Sequence, residues 1–280
     1  MEYMTLNNGI KCPVVGIGTF MLSPQDAENS VREALKMGCS LVDTANAYVN
    51  ERAVGRGIKT SGVKREDVFL STKLWPSEYE NEHAVEETLE RLGTDYVDLL
   101  YIHQPAGNWK AGYRQLEKAY KEGKAKAIGI SNFEGEYFEE LKEIWEIVPQ
   151  FIQVEAHPYF TQQELRKVLD EYGIRIMSWY PLGHGDKALL NEPAFAELGK
   201  KYGKSPAQII LRWHTQMGFA VIPGSRNPEH IRDNLNILDF TLTDEEMSAV
   251  AALDRGRRYY HRSEEQLAGF ANWKPEFENA

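Results

Sequence analysis

Eight short apolar runs, each followed by an amphipathic stretch, set the narrowest limit on what this chain can fold into. The runs are VVGIGT (14–19), SLVDTA (40–45), VFLSTK (68–73), VDLLYIH (97–103), AKAIGIS (125–131), FIQVEAH (151–157), IRIMSWY (174–180) and FAVIPG (219–224). Most are nearly continuous in Val, Ile and Leu, the pattern of parallel strands covered on their outer side by helices. The intervening stretches carry readable helix starts. Ser23-Pro24 with Asp26 opens one that Gly38 closes, and Thr161 with Glu164, Ser205 with Gln208 and Thr243 with Glu246 each fit a capping box. Pro206 suits a first helical position. Eight strands with helical connections predict an α/β fold, a (β/α)8 barrel of the TIM type. Ahead of it, MTLNNGIKCPVV places two apolar runs around Asn7-Asn8-Gly9, a hairpin signal.

A doubly wound sheet is the competing architecture, and it lacks its phosphate fingerprint. GIGTF is not GxGxxG, the glycines at Gly55 and Gly62 do not open a helix after a strand, and no GxxxxGK[ST] occurs. With no linker or repeat, residues 1–280 read as one barrel domain, a length that barrels of this class reach as a single unit. The aromatic, charged tail after Asp254 is expected to pack across a barrel end. A net charge of −10 disfavours nucleic acid and anionic membrane as partners. Two cysteines without a CxxC, no signal-like start and no long apolar run point to a soluble protein of the reducing cytoplasm. Seven scattered histidines without HExxH predict no metal.

In such a barrel, chemistry sits where strands end and the following loops begin. The second strand ends in Asp43 with Tyr48 and Asn50 in its loop, the third places Lys73 at the rim, and the fourth places His103 there. A carboxylate, a phenol, an ammonium and an imidazole thus converge from three successive strands. A free phenol releases its proton poorly at neutral pH, with a pKa of ~10. An adjacent ammonium is expected to lower that value, with Asp43 keeping Lys73 charged and His103 orienting a carbonyl. The set predicts a general acid that protonates an oxygen gaining negative charge, as carbonyl reduction requires.

The segments GIGTF, VDTANAYVNE, STKLW, YIHQP, GISNF, QVEAHPY, SWYPLG and IPGSRNPEHIRDN, in this order and spacing, resemble the aldo-keto reductases, from the hairpin to about Asp254. The resemblance implies an NAD(P)H-dependent oxidoreductase reducing aldehydes and ketones, with a tetrad of Asp43, Tyr48, Lys73 and His103 and with Tyr48 as proton donor. It implies that Ser131, Asn132 and Gln153 bond the nicotinamide amide, that Trp179 stacks on the ring, and that Gly18, Thr19, Pro181 and Leu182 also contact the cofactor. Phe20, Trp75 and His103 are expected at the substrate, a small carbonyl compound, and the protein is expected to act as a monomer. Where the family often has tryptophan after the catalytic histidine, this chain has Gln104, giving a smaller and more polar wall. Trp109, Phe270 and Trp273 are candidates to re-line it. His157 reads as structural.

The family's usual lysine and arginine for the NADP 2′-phosphate correspond to Gly224 and His230. Ser225, Asp233 and Asn234 remain, and Arg226 is the fixed positive charge beside the glycine turn. The expected cofactor is NADP(H) held through Arg226, with His230 helping only when protonated, and with NAD(H) also used. Two other readings of the same residues are a Schiff-base aldolase through Lys73 and a non-catalytic nicotinamide-sensing subunit.

Overall fold

The computed structural model describes residues 1–278. Its first two strands, β1 (Tyr3–Thr5) and β2 (Lys11–Pro13), pair antiparallel around the Asn7-Asn8-Gly9 turn. Eight parallel strands follow: β3 (Ile17–Gly18), β4 (Leu41–Asp43), β5 (Phe69–Leu74), β6 (Leu99–Ile102), β7 (Ile128–Ser131), β8 (Phe151–Glu155), β9 (Arg175–Trp179) and β10 (Ala220–Val221). They pair in sequence order, and a parallel bridge from Val15 to Val221 brings the first against the last. All eight expected strands are present, and the sheet closes into a (β/α)8 barrel.

The strands are buried on both faces, but their faces differ. Val42, Leu70, Leu100, Ile128, Ile152 and Ile176 pack outward with the helices, whereas Leu41, Phe69, Leu99, Tyr101, Phe151 and Met177 pack together inside the barrel. Met4, Leu6, Cys12 and Val14 join that inner set, so the hairpin plugs the end where the strands begin. Tyr101 lies across the interior, its hydroxyl 3.6 Å from the sulfur of Met177. Gly129 makes room for it, because a Cβ there would meet the Tyr101 ring at 2.4 Å. One step of the period-2 alternation beyond these apolar layers, the inward positions become polar: Asp43, Ser71 and Lys73, then Ser131 and Gln153.

Helix Pro24–Lys36 starts where expected, Ser23 Oγ accepting from the N–H of Asp26. Capping boxes at Ser205/Gln208 and Thr243/Glu246 are present. The one expected at Thr161/Glu164 is not. That helix spans Gln163–Asp170 after Gln162 in the left-handed region (φ 57°), and the Thr161 hydroxyl bonds the Asp254 carboxylate instead. Beyond Asp254 the tail forms a helix, Glu264–Asn272, capped by Ser263 and Gln266. It packs over the C-terminal end of the barrel, and Glu155 at the end of β8 accepts from the backbone N–H groups of Tyr259 (2.6 Å) and Tyr260 (3.4 Å). Among the described residues no helix is long and apolar enough to cross a membrane.

Candidate active site

The polar inward positions open into a cavity of about 740 Å³ at the C-terminal end of the barrel. A second depression of about 680 Å³, near helices Glu51–Ser61 and Ala84–Leu92, lies away from it; its four arginines each pair with a carboxylate (Arg52–Glu90, Arg56–Glu28, Arg65–Asp98, Arg91–Glu51).

At the base of the larger cavity the Asp43 carboxylate is fully engaged. One oxygen takes the Lys73 ammonium at 2.6 Å, and the other accepts from Ser71 Oγ at 2.7 Å and Gln153 Nε2 at 3.1 Å. Lys73 also donates to Thr44 O at 2.7 Å and has no solvent exposure. It therefore sits below the rim where the sequence placed it, held inside the barrel. Burial pulls the Lys73 ammonium below its usual pKa, and the Asp43 carboxylate opposes that shift.

Tyr48 reaches the same point from the helical turn Asn46–Tyr48 after β4. The turn is closed by Val49 at φ 54°, a left-handed conformation that a β-branched residue rarely adopts. Lys73 Nζ lies 5.0 Å from the centroid of the Tyr48 ring, and the His103 ring meets that ring edge-on at 5.6 Å. Contrary to the sequence expectation, the phenol is pushed well above its usual pKa. Burial is the chief cause, reinforced by the charge of Asp43, and it outweighs the nearby ammonium. His103 is shifted the other way, well below the ordinary value, by burial and then by Lys73, so the ring is neutral near pH 7. Its Nδ1 is buried without a partner among the described residues.

The remaining expected residues divide into two groups. Gly18, Ser131, Asn132, Gln153, Trp179, Pro181 and Leu182 line the cavity, as do Phe20, Trp75 and Gln104. Ser131 and Asn132 do not cap the next helix, which starts after Gly135; the Asn132 amide donates to His103 O and to Ser131 Oγ, both at 3.1 Å. Thr19 is built into the wall instead of lining it, its hydroxyl donating to Asp43 O at 3.2 Å. Ser225, Arg226, His230, Asp233 and Asn234 lie outside the cavity, on the loop and helix (Pro228–Leu235) that follow Gly224. Arg226, His230 and Asp233 are exposed, and Arg226 has no ion pair among the described residues. Gly224 lines the cavity, and its lack of a side chain has a steric reason. A Cβ there would meet the Gly18 carbonyl oxygen at 2.9 Å, because this loop crosses the end of β3.

The tail supplies walls that sequence left open. Phe270 and Trp273 each meet Trp75 at 5.2 Å and line the cavity, and Tyr260 stands edge-on to Trp179 at 5.7 Å. Trp109 does not join them but packs on Phe133. His157 is buried against Glu155 at 3.1 Å, a structural role as expected. Unforeseen was Glu51, whose buried carboxylate accepts from the Thr72 hydroxyl (2.6 Å) and from Arg91 (2.7 Å), bracing the strand segment that carries Lys73. Of the six non-glycine residues at positive φ among the described residues, four (Met21, Asn132, Tyr180 and His184) line the cavity and Val49 adjoins Tyr48. Backbone strain is thus concentrated at the mouth, as at functional sites.

Comparison with known proteins agrees with this geometry. Residues 14–255 match the aldo/keto reductase family. The chain is 42% identical to a glyoxal reductase of Bacillus subtilis, covering 95% of this chain and 98% of that one. It is 39% identical to a morphine 6-dehydrogenase of Pseudomonas putida, covering 91% and 92%. An aldo/keto reductase structure from Brucella melitensis superposes with a TM-score of 0.86 at 41% identity, over 90% of this chain and 99% of that one. Neither the aldolase nor the sensing reading finds support in these relatives, and Lys73 is shut inside the barrel by Asp43. The chain belongs to the aldo/keto reductase family and is an oxidoreductase of carbonyl compounds, a class that uses nicotinamide cofactors.

Proposed function

We propose that this chain reduces aldehydes and ketones with NADPH or NADH, Tyr48 giving the proton. The observation that supports this best is the placement of Tyr48 and His103 on the cavity floor above a fully neutralised Asp43–Lys73 pair. The residues present suit a nicotinamide cofactor. Ser131, Asn132 and Gln153 present buried polar groups for its amide. When bound, the reduced cofactor supplies a hydride to the carbonyl carbon.

The raised phenol pKa keeps the proton on Tyr48 until an oxygen beside it gains negative charge. Lys73, 5.0 Å from the ring, then stabilises the phenolate without itself entering the cavity. Neutral His103 orients the carbonyl oxygen by hydrogen bonding, since an imidazolium beside Lys73 would be disfavoured. Trp75, Phe270 and Trp273 exclude water from one side, and Trp179 offers a face to the nicotinamide ring. Kinship supplies the reaction type, while the cavity wall selects the substrate. The site is complete within one chain, which fits a monomer, and two buried free cysteines fit a reducing cytoplasm.

Arg226 and Ser225, on the loop after Gly224, would meet the adenosine end, with NADPH favoured through Arg226 and NADH competitive. The mechanism is tested with Tyr48→Phe, assayed for turnover of a simple aldehyde and for cofactor binding by fluorescence. Turnover is expected to fall by about 10²–10⁴, the range for a lost general acid, with cofactor affinity nearly unchanged. Undiminished turnover would sink the mechanism.

A further inference from the structure

Glu51 opens helix Glu51–Ser61 just after the Tyr48 turn, and it is buried together with Thr72, Thr88 and Arg91 around it. Its neighbour Asn50 ties the turn to the preceding strands with neutral groups alone. The Asn50 amide donates to Thr19 O at 3.0 Å and to Leu22 O at 3.1 Å, and its oxygen accepts from Thr44 Oγ1 at 3.0 Å. Glu51 makes the corresponding tie to β5 with a charge. One carboxylate oxygen accepts from Thr72 Oγ1 at 2.6 Å and the other from Arg91 Nε at 2.7 Å, while Arg91 Nη2 donates to Thr88 Oγ1 at 2.9 Å.

Thr72 directly precedes Lys73, and alternation along β5 turns their side chains to opposite faces of the sheet. Glu51 therefore stands behind Lys73, on the outer face where β5 otherwise presents Leu70 and Leu74. A buried ion pair is often no more stable than apolar residues of the same volume, so bracing alone does not call for a carboxylate there. The groups facing Lys73 are Asp43 at 2.6 Å, the rings of Tyr48 (5.0 Å) and Tyr101 (5.9 Å), and neutral His103. Burial favours the neutral amine of Lys73, and the charges of Asp43 and then Glu51 oppose it. Around Glu51, burial favours the protonated acid, Arg91 and the Thr72 bond favour the carboxylate, and Glu278 acts against it. Glu278 is itself engaged by Arg52, accepting from its backbone N–H at 2.7 Å, and Arg52 also pairs with Glu90 at 3.4 Å.

We propose that Glu51 is a positioning residue for the reduction, which ties the Tyr48 turn to the strand carrying Lys73 and sets a second negative charge behind the Lys73 ammonium. This rests on the carbonyl-reductase reading above. Glu51 acts through Thr72 and Lys73 without touching substrate or cofactor, and Arg91 keeps it ionised.

The test is the pH profile of kcat for benzaldehyde reduction with NADPH, from pH ~6 to ~10, in the wild type and in Glu51→Gln. Reduction needs the proton on Tyr48 and the charge on Lys73, so kcat falls on the alkaline side. Removing a negative charge lets both groups lose their protons more readily, so the falling limb should move to lower pH by about one unit, the low end for a neighbouring charge. On that limb the change reads as a roughly tenfold lower kcat, with KM for benzaldehyde and affinity for NADPH as in the wild type. Glu51→Gln/Arg91→Met removes both charges together, the change a buried pair tolerates best, and should move the limb in the same direction; it decides the matter if Glu51→Gln fails to fold. A limb that stays at the wild-type pH, whatever the level of kcat, is what a brace alone gives and overturns the proposal, leaving the reductase reading intact. Failure of the wild type to reduce benzaldehyde overturns both.

Discussion

The proposed catalytic floor and the proposed adenosine clamp lie at the same end of the barrel but are built on opposite principles. On the floor, Asp43 and Lys73 have essentially no exposure and every oxygen of the carboxylate has a partner. Around Gly224 the residues that would meet the cofactor's phosphate are exposed side chains on a loop and helix, with Arg226 unpaired among the described residues. A buried charge must be matched and hydrogen-bonded or it is expelled, so the floor tolerates almost no substitution. An exposed cation costs little to gain or lose, so the clamp is free to vary. In the proposed function, carbonyl chemistry therefore rests on the floor and cofactor choice on the clamp.

That contrast can be broken in order of expected effect. Replacing Lys73 with Met leaves Asp43 charged and unpaired in the interior, and about 3–5 kcal/mol of stability should be lost. Urea unfolding of Lys73→Met at pH 7 measures this; a loss within ~0.5 kcal/mol, the usual range for a surface change, would show that the floor is no stiffer than the clamp.

Acid should undo the interior next. His214 lies under the end of β8, its ring nitrogens 2.8 Å from Ile210 O and 3.0 Å from Ala156 O, and burial brings its pKa down to about 4. Between an unfolded value of ~6.5 and that folded value, the unfolded chain binds the extra proton, so stability falls as pH drops through this window. At ~1.36 kcal/mol per pKa unit the loss is about 3 kcal/mol, complete below pH 4. His103 adds a loss of the same sign, since its pKa is also lowered by burial. Unfolding measured from pH 7 to 4 should steepen accordingly, and His214→Gln should flatten the slope by one proton; an identical slope in that variant would remove His214 from the account.

The clamp gives the smallest change. Arg226→Ala should leave stability untouched and weaken NADPH by roughly ten- to a hundredfold, from ~1.5–3 kcal/mol for a hydrogen bond to a charged group. NADH affinity should stay the same. Equal weakening of both cofactors, measured by fluorescence titration, would show that Arg226 does not face the 2′-phosphate.

Local signals in the chain were legible because their physics is local. Strand order, the Asn-Gly hairpin and the boxes at Ser205 and Thr243 follow from apolar runs and side chain–backbone bonds within a few residues. The box at Thr161 was misread because a carboxylate 93 residues away captures the same hydroxyl. The tail helix was passed over although Ser263 and Gln266 cap it, because its apolar residues lack a clear period and find their partners across the cavity mouth.

By itself, then, the sequence determined the eight strands, their polar ends and the kind of chemistry those ends can perform. Tertiary structure decided the parity of each strand, since a run such as FLSTKL, buried throughout, does not announce which residues face inward. It also decided where Lys73 sits, that burial outweighs the ammonium at Tyr48, and that Arg262 of the tail bonds the Gln104 side chain. Those outcomes depend on solvent exclusion and on contacts as far as 158 residues apart, which exist only after the barrel has closed.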